Sequence, residues 1–85
     1  MAITAPDLIG LLGAALIVVA YAASQADRLD TRGVAYSAMN LAGAAAILVS
    51  LAFAFNLASF AIELVWLVVS VYGLFRAVRR RDGGD

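Results

Sequence analysis

The chain has 85 residues, 65% of them hydrophobic, with a mean hydropathy of +0.96 and a formal net charge of zero. Apolar density at this level points to membrane spans, and neutrality without a basic face argues against nucleic acid as a partner. The absence of Cys and His removes disulfides, thiolate metal sites and the Cys nucleophile, together with the commonest transition-metal ligand and general base, so no enzyme, metal or cofactor is expected.

Residues 1–5 form a short lead-in. Thr4-Ala5-Pro6-Asp7 reads as a helix start, with a hydroxyl cap, a first-turn proline and an acid at the positive end of the dipole. A first span follows over about 8–26, through Gly10, Gly13 and Leu16-Ile17-Val18-Val19. Ala20-Tyr21-Ala22 has the small-x-small form of a signal-peptide cleavage site. The segment before it carries Asp7 and no basic residue, so the stretch is read as a retained span. Ser24 to Val34, with mixed charge and turn formers, is the first loop.

The second span, about 36–55, is the hub of the chain. It holds no charged residue and is about the length that crosses a bilayer core. Ala38, Ala42, Ala46, Ser50 and Ala54 recur every fourth residue, a stripe that would let another helix come close, and Gly43 lies beside it. Asn40 carries a primary amide into the apolar region, where an unpaired amide is costly. Asn56 is expected to cap this helix at its C-terminus. A loop of about 56–59 then makes the second and third helices an antiparallel hairpin. Ser59 is the expected cap of the third span, about 60–78, with Glu63 in its first turn. The helix should continue into Arg76, Arg79, Arg80 and Arg81, and residues 82–85 should fray.

These elements make an all-α integral membrane three-helix bundle, one domain over 1–85. Arg28 and Arg32 lie on the same side as the four tail arginines and the opposite side has none, which places the N-terminus outside and the C-terminus in the cytoplasm. The tail arginines would also touch anionic lipid.

Counting rise per residue, Asn40, Tyr21, Tyr72 and Gln25 are expected to form an inner polar layer. Ser50, Asn56, Ser59, Glu63 and Trp66 form an outer one, with Asn40 and Trp66 about 15 Å apart along the membrane normal. Asn40 reads as interhelical glue or as a ligand contact, and Glu63 as part of a helix start or as a site. Tyr21, Tyr36, Tyr72 and Trp66 also read as interfacial aromatics. Gly10, Gly13, Ile17, Tyr21 and Ser24 share one stripe on the first span. Glu63, Trp66, Ser70 and Gly73 share one on the third.

The pattern Tyr21, Gln25, Leu29; Tyr36, Asn40, Gly43, Ala44; Ser50-Leu51, Asn56; Glu63, Trp66, Ser70, Tyr72-Gly73 resembles a family of small, largely uncharacterised bacterial three-span membrane domains, sometimes called CBU-type. The resemblance covers Gly10 to Arg76 and implies a multi-pass protein of the bacterial inner membrane. More remotely, the layout is similar to the three-helix halves of PQ-loop sugar transporters, which work as dimers. Here Ser24 stands where that group has a proline before Gln25.

Two functions follow as expectations. One is a dimerising half-transporter or channel-like unit for a small solute, lined by Tyr21, Gln25, Asn40, Ser50, Glu63, Trp66, Ser70 and Tyr72. The other is a structural or accessory protein that binds lipid or a larger membrane partner through small-residue faces at Gly10, Gly13, Ala42, Gly43, Ala46 and Gly73.

Overall fold

Helix formation begins at Thr4. In the computed structural model, which describes residues 2–82, the Thr4 side chain accepts from the Asp7 amide at 3.2 Å, and the Asp7 carboxylate accepts from the Thr4 amide at 3.0 Å. This reciprocal box satisfies two of the helix's otherwise unpaired N–H groups. Helix α1 then runs Ala5–Gln25, α2 Val34–Leu51 and α3 Leu57–Asp82, and the described residues contain no strand. All three helices are long and apolar enough to cross a membrane.

Helix α1 ends in a Schellman motif: the Arg28 amide donates to the Ala23 carbonyl and the Asp27 amide to that of Ser24. Asp27 takes the left-handed conformation this requires, with φ of 59°, a place more often filled by glycine. An Asx turn at Asp30, whose carboxylate accepts from the Arg32 amide at 2.9 Å, leads to Gly33 at the start of α2.

The second connection departs from expectation. Helix α2 ends at Leu51 rather than near Phe55, so Ala54 lies beyond it. Asn56 does not close α2. Its side-chain oxygen accepts from the Ser59 amide at 3.0 Å, making Asn56 the cap of α3 and Ser59 the third residue inside that helix. Phe55, just before the cap, packs on Phe60, four residues after it, with ring centroids 5.5 Å apart. Asn cap and aromatic staple together define a strong helix start. An Asn cap is non-helical, so the chain leaves α2 early and turns through residues 52–56. The expected fraying of the tail falls partly on residues 83–85, outside the described residues, and Asp82 still belongs to α3.

Helix α2 packs against both neighbours, while α1 and α3 do not pack on each other. Both packings are antiparallel: Gly10 meets Ser50 and Gly13 meets Gly43 across one seam, and Ser37 meets Gly73 across the other. Gly13 and Gly43 are in reciprocal contact: a Cβ on Gly13 would lie 2.6 Å from the Gly43 carbonyl oxygen, and one on Gly43 2.7 Å from that of Gly13. Any side chain there would drive α1 and α2 apart. The most buried apolar residues are alanines, Ala20 and Ala44 at 0% exposure and Ala77 at 2%. Large apolar side chains instead point outward, Leu12 at 70% and Phe53 at 71% exposure. A core of small residues under a coat of Leu, Val and Phe suits a hydrocarbon solvent and would aggregate in water.

Candidate functional site

The packing face of α2 is set by Ser37, Asn40, Gly43 and Ala44, all buried. These recur at the three- and four-residue spacing of a helix face. The every-fourth-residue stripe expected to pack does not hold one direction, because each step of four advances about 40° around the helix. Ala42 is therefore exposed, while Ala46 has rotated against Gly13 and Ser50 against Gly10.

On α3, Trp66, Ser70, Gly73 and Ala77 face α2. The Trp66 Nε1–H donates to Asn40 Oδ1 at 3.0 Å, and Asn40 Nδ2 donates to the Tyr36 carbonyl at 2.9 Å. This contact corrects the expected 15 Å separation of Asn40 and Trp66. That separation came from placing each residue in a bilayer slab of fixed thickness. Measured from the hairpin the two helices share, Asn40 lies about 17 Å from the end of α2 and Trp66 about 14 Å from the start of α3. The two residues are thus nearly level, and the indole spans the rest. Trp66 is an interhelical donor whose indole N–H reaches the buried Asn40 while the residue as a whole stays 43% exposed.

Between α2 and α3 lies a cleft of about 210 Å³ lined by Tyr36, Ser37, Asn40, Trp66, Val69, Ser70 and Gly73, and reaching Thr31 in the first loop. At about 30 Å³ per water this is space for roughly seven waters or one small organic molecule. Its lining is neutral throughout. Ser37, Asn40 and Ser70 are buried at 6%, 3% and 7% exposure. An asparagine amide has two N–H groups and two lone pairs, so the bonds to Trp66 and Tyr36 use half of what Asn40 offers. Gly73 keeps the cleft narrow at one end, since a Cβ there would sit 2.9 Å from Ser37 Oγ.

The other expected site residues are not gathered here. Tyr21 is 58% exposed and Tyr72 62%, and Gln25 is exposed as well. Fully buried Ala20 takes the inward position near the end of α1, and Tyr21 stands about 100° further round. Tyr72 is likewise about 100° from Gly73, and its ring carries the Arg76 guanidinium 5.8 Å from the centroid. The inner polar layer of Asn40, Tyr21, Tyr72 and Gln25 therefore does not form. Ser50 belongs to the α1–α2 seam. Glu63, in the second turn of α3 rather than the first, has one carboxylate oxygen, Oε1, buried without a hydrogen-bond partner. Ser37 is the cleft residue sequence reasoning missed. The signal was its place three residues before Asn40, on the same helix face.

At the end of the bundle that holds the first loop, Arg80 donates to the Arg32 carbonyl. This contact brings the arginine-rich tail against the loop that carries Arg28 and Arg32.

A family model matches residues 6–81. The chain belongs to that family, an uncharacterised bacterial one. The match spans α2, all but one terminal residue of α1 and of α3, and every residue of the cleft. No curated protein and no solved structure matches the chain. The family membership agrees with the resemblance to small bacterial domains, and nothing in the comparisons supports the remoter likeness to the PQ-loop group.

Proposed function

We propose that this protein is a multi-pass unit of the bacterial inner membrane that handles a small neutral solute as a homodimer, with the α2–α3 cleft as the solute's seat. The observation that carries this reading is the cleft itself. Buried hydroxyl and amide groups line a hollow beside an indole, within helices apolar enough for a membrane. A lining without charge favours a neutral guest with hydroxyl or amide groups, because an ion would enter without a counter-charge. Helices α1 and α3 leave one face of α2 uncovered, so one copy does not enclose a path, and a second would supply the missing wall. Orientation follows the arginines: with all six basic residues in the first loop and the tail, that end faces the cytoplasm and the N-terminus lies outside. The reading contains no catalytic step.

The chain has no Cys, so Ser70→Cys introduces a single reactive group into the cleft. Reconstituted vesicles containing this variant should pass glycerol or urea faster than protein-free vesicles. Modification with a small thiosulfonate reagent should lower that flux about tenfold, the effect of a barrier change of about 1.4 kcal/mol. Flux equal to that of empty vesicles before modification would contradict the reading.

A second reading is favoured by a different observation. Ala35, Ala42 and Ala45 lie exposed on the side of α2 turned away from the cleft. This surface suits close approach by another helix, as in an accessory protein that binds a larger membrane partner. On that reading Asn40, already bonded to both Trp66 and Tyr36, is structural glue.

A further inference from the structure

Glu63 is the polar group that the cleft leaves out. It lies one turn before Trp66 on the α3 face turned toward α2, and Trp66 and Gly73 fix that face by their contacts with Asn40 and Ser37. At about 1.5 Å per residue, Glu63 sits about 9 Å inside the start of α3. Its Oε1 is buried and has no hydrogen-bond partner. With α3 spanning a bilayer from its start, the part of the side chain that is not covered by protein would meet hydrocarbon at this depth.

Among the described residues no neighbouring element offers a balancing charge. Helix α2 carries no charged residue, and its one ionisable group, Tyr36, is at the far end. On α1 the ionisable groups are Asp7, held in its capping box with Thr4, and Tyr21, near the opposite end of the helix. The turn at 52–56 has none. On α3 itself the first cation is Arg76, about 20 Å further along the axis, with Tyr72 between. A bare carboxylate here would be a buried charge without partner or solvent, the arrangement membrane helices avoid unless the group has work to do.

We propose that Glu63 is a proton-binding site: its carboxyl carries an exchangeable proton inside the bundle, loaded and released from the Asn56 end. This goes beyond the solute cleft and stands without it. A conserved flux is not required, only a carboxyl that is neutral and faces hydrocarbon. Asp7, hydrogen-bonded and open to water, is the internal contrast.

Dicyclohexylcarbodiimide tests this on the full chain in nanodiscs of neutral lipid. The reagent partitions into hydrocarbon and reacts with a protonated carboxyl. The acid proton passes to a carbodiimide nitrogen, a carboxyl oxygen bonds to the central carbon, and acyl migration gives a stable urea that retains every atom of both. The expected result is a single adduct mapped to Glu63 by mass spectrometry, absent from Glu63→Gln, with Asp7 unlabelled. Its rate should fall about tenfold per pH unit above the midpoint of titration. The wild-type adduct decides the matter even if the variant folds poorly. The proposal is overturned if Glu63 stays unlabelled, if Asp7 labels equally, or if the rate is flat from about pH 5 to about pH 9. Protection by sodium chloride at fixed pH would also overturn it, by showing a metal-cation site instead. None of these outcomes depends on solute flux, so this test and the flux experiment can fail separately.

Discussion

At the residue scale, the Trp66–Asn40 bond is the polar contact that most constrains the bundle. It joins the two helices of the α2–α3 hairpin far from their turn, between residues 26 positions apart, and it uses the sole tryptophan and the sole asparagine within a span. Interhelical hydrogen bonds in membranes contribute about 0.6 kcal/mol on average and up to about 1.7. Trp66→Phe keeps the ring but removes the donor, leaving Asn40 Oδ1 to find another partner. Unfolding of the variant in bicelles should show a loss of about 1 kcal/mol, with helix content unchanged. Loss of helix content would mean that the indole fills space rather than pinning the amide. Asn40 was legible in the sequence as a group that needed a partner, because an amide in hydrocarbon does. Its partner was not, because the pairing depends on where the hairpin turns, and the apolar run continues past the end of α2 at Leu51 to Phe55.

At the element scale, composition and capping located the three helices and the start of α1 at Thr4. What composition could not supply was which end of a short polar stretch belongs to which helix. Asn56 suits the end of one helix and the start of the next equally well. The Phe55–Phe60 staple decides for the second, a signal present in the sequence as aromatics flanking an Asn-x-x-Ser. Repeat spacing misled in a different way: small residues at every fourth position drift around the helix, so Ala42 and Ala46 do different jobs. Ala46 lies against Gly13, whereas Ala42 is exposed. Ala46→Leu should therefore separate α1 from α2 and destabilise the monomer by about 1–3 kcal/mol, the usual cost of overpacking. Ala42→Leu should leave the monomer intact and weaken association between copies or with a partner. Chemical crosslinking in membranes, alongside an unfolding assay, separates the two effects. Equal loss of stability in both variants would remove the distinction between an inner and an outer face of α2.

At the scale of the whole molecule, one end gathers every arginine and the other the N-terminus and hairpin turn, and small residues occupy the inside. Sequence composition conveyed this polarity well, since it depends on counts and order rather than on rotation about each helix axis. The gathering of Ser37, Asn40, Trp66 and Ser70 into one cleft, with Tyr21, Gln25 and Tyr72 outside, needed the rotational setting of each helix, which only packing determines. The family match covers residues 6–81, and with them nearly the whole of the three helices.

The sole tryptophan makes insertion into lipid directly testable. Trp66 fluorescence should be recorded in vesicles whose lipids carry bromine at a series of acyl-chain depths, with acrylamide as the aqueous quencher. A residue about 14 Å inside α3, in a bilayer core about 30 Å thick, should be quenched most by bromines near the chain ends and little by acrylamide. Full acrylamide quenching with no dependence on bromine depth would contradict a membrane-spanning bundle pinned at Asn40.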